Sequence, residues 1–156
     1  MIYALDFLLA KQATPAIVEH QTLKVTKGLV YKVEFHFPPG CAGLAHLAVF
    51  DGGHQVWPSS PGETFHTDNF NISFEDVYMK LAAPYQFDFY GYNEDETFPH
   101  TIYCRIAMVS KDIFMARWIP TMAYDHFVKL LREEQGIQEE RRREVLETPF
   151  PWLKGE

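Results

Sequence analysis

The sequence predicts an antiparallel β-sandwich followed by a helical arm. Three observations lead to this fold class. Apolar residues alternate with polar ones over short segments, glycine and proline turns separate those segments, and aromatic residues make up 15% of the chain. Alternation with period two is typical of strands with one buried side, and aromatic side chains favour pleated sheets. Because an isolated hairpin is only marginally stable in water, these strands are expected to pack as two sheets.

A central segment rich in glycine and proline, residues 38–62, supports this fold class most directly. Within it, the turn Gly52-Gly53 separates the apolar run Leu44–Phe50 from the run His54–Trp57. A glycine pair between two apolar runs is a typical signal of a β-hairpin. We therefore predict a hairpin in this part of the chain.

Two long strands are predicted before the hairpin, one over residues 1–10 and a stronger one over residues 29–37, and the turn Lys27-Gly28 separates the stronger one from a short strand before it. In each of the two long strands, every second side chain is apolar, which predicts one face against the core. The side chains predicted to face the core are Tyr3, Leu5, Phe7, Leu9, Leu29, Tyr31, Val33, Phe35 and Phe37. Each buried side chain of the second strand should stabilise the fold by about 1.5–3 kcal/mol before the entropic cost is subtracted.

The segment after the hairpin, residues 58–69, has no periodicity and is predicted to be a surface loop. Alternating segments follow near residues 70–74, 85–89 and 100–109. Together with the earlier segments they make about eight strands, at the spacing of a two-sheet antiparallel sandwich.

The sequence divides into a sandwich domain, residues 1–111, and a C-terminal helix with an extended arm, residues 112–156. Pro120-Thr121 is a typical helix start, and apolar residues follow it at helical spacing. Residues 132–144 are almost entirely polar. A helix there is expected to be solvated, frayed or held by something outside its own domain.

The arm ends in an apolar cluster that Pro149 and Pro151 should keep extended. An apolar tip on a charged arm is typical of a segment that contacts another chain. The residues predicted to contact a partner are Phe127, Leu130, Leu131, Phe150, Trp152 and Leu153.

The charge of the chain excludes some classes of partner. Its formal net charge of -7 opposes binding to a nucleic acid, whose affinity depends on neutralising phosphates with Lys and Arg. The apolar N-terminal segment contains Asp6 and is too short to cross a membrane, which takes about 20 apolar residues. We expect neither a signal peptide nor a membrane anchor, and synthesis in the cytoplasm.

Cysteine and histidine patterns give no metal or cofactor motif. Cys41 and Cys104 are too few for a disulfide framework, although one bridge or two free thiols are both compatible with the sequence. The seven histidines form no closely spaced pair. No serine lies in a nucleophile elbow. We therefore expect no catalytic residues, no metal and no cofactor, with a small metal-dependent β-barrel enzyme as an alternative.

Three aromatic residues predict a different kind of function. Trp57, Tyr90 and Tyr92 are candidates for stacking against a sugar on the surface of a sandwich. The competing interpretation is that they cover the edge of the core or an oligomer interface, where Tyr and Trp are enriched. A carbohydrate-binding or receptor-binding module is therefore the first alternative, ahead of the metal-dependent enzyme.

Several motifs follow one another in an order that resembles a known group of proteins. These motifs are Val33–Phe37, Pro38-Pro39-Gly40, Ala42-Gly43-Leu44, Gly52–Pro58, Tyr92-Asn93 and His100-Thr101. Their order resembles that of small jelly-roll proteins of tailed phages, in particular the capsid decoration, or cement, proteins that cluster as trimers on virions. The resemblance covers about residues 20–109 and leaves the C-terminal arm outside it.

This resemblance implies a jelly-roll sandwich without catalysis and without a cofactor. It also implies a homo-oligomer, a trimer by analogy, that binds a capsid or another scaffold protein and is located in the virion. We therefore expect a structural protein that acts through protein–protein interaction and stabilises an assembled lattice by binding it. Under this hypothesis the C-terminal arm supplies reach and apolar anchors.

Overall fold

The structure is a computed structural model that describes residues 1–12, 16, 18–110, 113–114 and 124–147. The described residues form nine strands and a long C-terminal helix. The strands are β1 (Ile2–Leu9), β2 (Glu19–Lys24), β3 (Gly28–Phe37), β4 (Ala45–Asp51), β5 (His54–Trp57), β6 (Phe70–Phe74), β7 (Tyr78–Lys80), β8 (Gln86–Asn93) and β9 (His100–Val109). The helix is α1 (Tyr124–Glu147).

The strands form two sheets, and every pairing between them is antiparallel. Sheet A has the order β1-β9-β3-β6, with β7 pairing to β3 beyond the end of β6. Sheet B has the order β2-β8-β4-β5. The predicted all-β architecture with antiparallel sheets and a C-terminal helix is confirmed.

The main core lies between the two sheets and is strongly aromatic. Phe35 is fully buried near its centre, with its ring 6.5 Å from Phe89, 5.4 Å from Phe65 and 6.3 Å from Phe74 between centroids. The predicted inward parity of β1 is confirmed, since Phe7 and Leu9 are buried there. Edge-to-face and offset aromatic pairs of this kind add to the stabilisation that burial provides.

One predicted inward residue of β3 faces the opposite way. The pairing of β3 with β9 shifts register between Val30 and Lys32, so Tyr31 is an extra residue in a β-bulge. As a result, Val30 packs into the main core while Tyr31 is 40% exposed. Leu29 is also buried, but in a second cluster away from Val30. The prediction that Tyr31 points inward is therefore wrong, and the bulge is the reason.

The second cluster is the contact between α1 and the sandwich. Leu131 of the helix is 3% exposed and packs with Leu29 and Leu81. Farther along α1, Gln138 donates a hydrogen bond to the Met79 carbonyl and accepts one from the Leu81 N–H. The polar half of the helix is therefore bound to the sandwich of its own chain, whereas the sequence predicted a helix that is solvated, frayed or held by something outside its domain.

Some predicted features lie outside the described residues. These are the domain boundary at residue 111, the helix start at Pro120-Thr121 and the apolar tip with Phe150, Trp152 and Leu153. Within the described part of the chain, no helix combines the length and the apolar character needed to cross a membrane. Cys41 and Cys104 are both buried free thiols.

Candidate functional site

The outer face of sheet A carries a candidate docking surface. Tyr31 stands between two shallow hollows of about 470 Å³ each. The first is lined by Ile2, Tyr31, Lys32, Glu34, Arg105 and Ala107. The second is lined by Tyr31, Glu75, Asp76, Val77 and Phe114. We call these residues together the Tyr31 surface.

The floor of the Tyr31 surface is apolar and accessible. Ile2 is 70% exposed and Val77 is 57% exposed, on either side of the half-exposed Tyr31 ring. A cluster of large apolar side chains left in contact with water is typical of a surface that binds another macromolecule. Tyrosine suits the centre of such a surface, because its ring is apolar and its hydroxyl group can hydrogen-bond.

Charged side chains of both signs form the rim of the first hollow. The Glu34 carboxylate accepts a hydrogen bond from Lys32 Nζ at 2.7 Å and lies 3.9 Å from Arg105 Nη1. The hydrogen bond between them raises the pKa of Lys32 and lowers the pKa of Glu34. Both groups therefore stay ionised near neutral pH. An apolar floor inside a polar rim is the usual anatomy of a protein–protein interface.

The acidic rim of the second hollow is fixed by the core beneath it. Asp76 accepts a hydrogen bond from the Trp57 indole N–H at 2.7 Å and another from the Val77 N–H at 2.7 Å. Both carboxylate oxygens are thus held by described residues, which fixes the orientation of the group. The chain that carries Val77 is positioned by the same contacts.

The indole of Trp57 is not available for stacking against a sugar. Trp57 is only 2% exposed and lies in the main core, where its ring is 5.3 Å from Phe87 and 5.7 Å from Tyr78 between centroids. This corrects its prediction as a ligand-stacking residue. Of the two interpretations made from the sequence, coverage of the core describes Trp57.

The other two predicted stacking residues lie together on the outer face of sheet B. Tyr90 stacks on His20 with centroids 4.5 Å apart, and Phe50 meets its ring edge-to-face at 5.1 Å. Tyr92 stacks on His46 at 4.3 Å. One face of each tyrosine ring is therefore covered by a histidine of the same chain.

The histidine beside Tyr92 is held in a polar cluster. His46 Nδ1 lies 2.8 Å from the Thr64 hydroxyl, and Nε2 lies 3.9 Å from the Glu94 carboxylate. The His66 ring is tilted against it at 4.8 Å. Burial lowers the pKa of His46, with a smaller contribution from His66, while Glu94 opposes the shift. The imidazole is therefore mainly neutral near neutral pH.

A buried charge cluster anchors α1 next to these surfaces. The Lys80 ammonium group is fully buried and donates a hydrogen bond to Asp51, which also accepts one from the Tyr78 hydroxyl at 2.8 Å. Arg142 of α1 lies 3.6 Å from the same carboxylate and donates hydrogen bonds to the carbonyls of Ala82 and Pro84. This cluster therefore ties the helix to the end of sheet B.

Within this cluster, burial keeps the Tyr78 hydroxyl protonated. Burial and the adjacent Asp51 carboxylate raise the pKa of Tyr78 above its ordinary range, so its hydroxyl keeps its proton and acts as a donor. Burial lowers the pKa of Lys80, and the bond to Asp51 opposes that shift. The arrangement of donors around one carboxylate is typical of a structural anchor.

The predicted partner-contact residues of α1 differ in their surroundings. Leu131 is buried within its own chain, so its prediction as a partner contact is wrong. Phe127 is half-buried and stacks on Phe114 with centroids 5.6 Å apart. Leu130 is 41% exposed and remains a predicted partner contact.

No group of three or more His, Cys, Asp or Glu side chains in the described ranges is arranged to hold a metal ion. No protein-family model matches the sequence, and a search of curated proteins finds no match. The local geometry of the surfaces described above therefore carries the functional argument.

Sequence reasoning missed Tyr31 because it assumed one unbroken alternation along β3. The signal that could have identified the bulge is Val30, an apolar residue at a position where strict alternation requires a polar one. Three consecutive apolar residues, Leu29 to Tyr31, do not fit a strand with a single buried face.

Proposed function

We propose that the protein is a non-enzymatic structural protein, a capsid decoration protein of a phage virion that binds an assembled lattice through its outer surface. Binding that is restricted to the assembled lattice stabilises the assembly by mass action. On this proposal the protein functions as an oligomer in the virion and acts through protein–protein interaction. The trimer is implied by the resemblance alone, and a measurement of the oligomer's mass tests it.

The Tyr31 surface is the observation that carries this proposal. It combines exposed apolar side chains, a central tyrosine and fixed charges of both signs at the rim. Such a surface suits a folded protein partner, because the floor can be desolvated while the rim forms hydrogen bonds and ion pairs. We propose a capsid protein in its assembled form as the occupant.

The strand connectivity supports a jelly roll as the finer description of the sandwich. The pairs are nested around the β4–β5 turn, in the order β4 with β5, β3 with β6 and β7, β2 with β8, and β1 with β9. Successive pairs alternate between sheet B and sheet A. Jelly rolls occur in viral capsid proteins, although the fold also occurs in lectins and cupins.

The C-terminal region also takes part in the proposed contact, although α1 itself is bound to the sandwich. Because α1 is bound to its own sandwich, the segment that follows Glu147 starts from a fixed point. We propose that Phe150, Trp152 and Leu153 supply further anchors on the lattice, together with the exposed Leu130.

Co-sedimentation tests this proposal. The wild-type protein is mixed with expanded, undecorated shells of the phage that encodes it, and bound protein is measured against concentration. Tyr31→Ala should weaken binding at least tenfold, as expected for a central interface tyrosine. Tyr103→Ala is the matched control, because Tyr103 is equally exposed, at 41%, on the same sheet face but outside both hollows. Absence of wild-type binding, or equal losses in the two variants, contradicts the proposal.

The outer face of sheet B favours a second candidate function, a carbohydrate-binding or receptor-binding module. Tyr90 and Tyr92 lie two residues apart on one strand, with His20 and His46 beside them. Their hydroxyl groups can hydrogen-bond a sugar. A glycan array probed with wild-type protein and with Tyr90→Phe tests this function. Binding that the variant loses supports it, and a silent array removes it.

A further inference from the structure

The edge strands of the two sheets are protected to different degrees. An exposed edge presents unpaired backbone groups, and proteins usually guard it with charges or by keeping the strand short. The β2 edge carries Glu19 and Lys24, and β5 has only four residues. On the far edge of sheet A, β6 and β7 have five and three residues and are interrupted between them.

The β1 edge has none of these protections within its own length. It has eight residues and pairs with β9 without a register shift. Its only charged side chain is Asp6, and it contains neither lysine nor proline. Ile2 and Leu8 are 70% and 59% exposed along this edge. A long, regular and largely apolar edge is a template for another strand.

The hydrogen bonds to β9 define which backbone groups remain at the edge. Met1 and Met108 exchange two hydrogen bonds, of 2.6 and 2.7 Å, and are therefore a hydrogen-bonded pair. In an antiparallel ladder such pairs alternate, so the intervening residues direct their N–H and C=O groups away from β9. These residues are Ile2, Ala4, Asp6 and Leu8.

We propose that β1 pairs with β1 of a second copy of this chain, antiparallel and centred on Leu5, and so joins two A sheets across a two-fold axis. The inference rests on the proposed function only for its role in the virion, because the contact itself requires no lattice. An interface of this kind is isologous, since the same strand serves both subunits.

Self-complementarity fixes this register. Centring on Leu5 sets Ile2 opposite the second copy's Leu8, so the two most exposed apolar side chains of β1 cover each other. It also sets Asp6 opposite Ala4. Centring on Asp6 would bring two carboxylates face to face, which destabilises a cross-strand pair. Centring on Ala4 would set Ile2 opposite Asp6 and so separate Ile2 from Leu8.

The same register also brings together the backbone groups that β1 leaves unpaired at its edge. In the register centred on Leu5, all residues whose backbone groups point outward meet one another, as Ile2 with Leu8 and Ala4 with Asp6. Each of these pairs can exchange two hydrogen bonds. Leu5 meets its own copy as a non-hydrogen-bonded pair, where the side chains approach most closely.

This arrangement adds to the proposed function by placing two binding surfaces on one side. A two-fold axis perpendicular to the joined sheet keeps the outer faces of both A sheets in the same direction. The two β3 strands, which carry Tyr31, would lie about 24 Å apart at the usual spacing of neighbouring strands. A dimer can therefore engage two lattice sites at once and gain avidity.

Cysteine cross-linking tests the register. Under mild oxidation, Leu5→Cys should form a disulfide-linked dimer, because the facing Cα atoms lie within the range that a disulfide bridges. Tyr3→Cys is the matched control on the same face and should stay monomeric in reducing-agent-free gels, since its copies are about 14 Å apart in this register. Cys41 and Cys104 are buried and should not react. Cross-linking through Ala4→Cys or Asp6→Cys in preference to Leu5→Cys overturns the register.

A second measurement tests the contact without a cysteine. Sedimentation equilibrium of the wild-type chain, without any capsid, should give the mass of a dimer. Ala4→Pro should weaken association at least tenfold, because it removes an outward N–H while leaving the ladder to β9 intact. Ala4→Val retains that N–H and should associate like the wild type. A wild-type monomer or trimer overturns the inference and leaves the lattice test unaffected, whereas a dimer that binds no lattice contradicts only the proposed function.

Discussion

The core between the sheets and the contact under α1 are built from opposite chemistry. Between the sheets, aromatic and aliphatic side chains such as Phe35 and Phe89 are buried against one another. Under α1, a small apolar cluster around Leu131 is extended by Gln138 and Arg142, which bind backbone groups, and by the buried pair Lys80–Asp51. Two regions of one domain are thus stabilised by different forces.

This difference explains which part of the architecture hydrophobic patterns can reveal. Period-two alternation reports side chains that leave water, and it located most strands of both sheets, although no strand was predicted at β7. The polar half of α1 has no such pattern, because its contacts are hydrogen bonds and ion pairs. A polar helix is usually interpreted as solvated, yet here its polar stripe is the part that is bound.

The largest expected effect follows from removing the acid of the buried pair. Asp51→Ala leaves the Lys80 ammonium group buried without its carboxylate and removes the acceptor of the Tyr78 hydroxyl. We expect a loss of about 3–5 kcal/mol in the free energy of unfolding, measured by denaturant titration. Glu96→Ala, an exposed acid in the loop before β9, should change stability by less than about 0.5 kcal/mol. Equal effects of the two variants would show that the pair is not buried in solution.

A smaller effect is expected from the apolar part of the helix contact. Leu131→Ala should cost about 3 kcal/mol, because it opens a cavity between α1 and the sandwich. Its neighbour Leu130, exposed on the other side of the helix, provides a matched control. Leu130→Ala should cost less than about 0.5 kcal/mol in the isolated protein. Thermal or chemical unfolding measures both, and the reverse order would contradict the orientation of α1.

The smallest expected effect is a dependence of stability on pH, which arises at His46 and not in the apolar core. Burial holds the pKa of His46 below 6.5 in the folded protein. A histidine with a depressed pKa contributes its full stability above pH 6.5, and this contribution is lost as the pH falls through the folded value. The melting temperature should therefore decrease below pH 6.5, and less so in His46→Gln. His54→Gln, at an exposed position, should retain the wild-type profile.

The sequence predicted the strands well but not the sites on them. Alternation identified β1, β3, β8 and β9, because each buries one face. It failed at Tyr31, since the bulge between Val30 and Lys32 breaks the alternation there, while Val33 and the later residues of β3 keep the predicted direction. It also gave no indication that the Trp57 indole is bonded to Asp76, because that contact joins residues distant in sequence.

The candidate docking surface could not be predicted for a related reason. It brings together Ile2 from β1, Tyr31 and Lys32 from β3, and Val77 from the segment before β7. Their proximity depends on strand order in sheet A, which composition and periodicity leave open. The predicted stacking pair Tyr90 and Tyr92 was easier to identify, because residues two apart on one strand share a face.

Hydrogen exchange of the isolated wild-type protein, compared with Asp51→Ala, tests most directly whether α1 belongs to its own sandwich. The account predicts that amides of α1 between residues 127 and 145 are protected in the wild-type protein. In the variant they should lose protection while those of β3 keep theirs. Rapid exchange throughout α1 in the wild-type protein, at the rate of an undocked helix, would contradict the account.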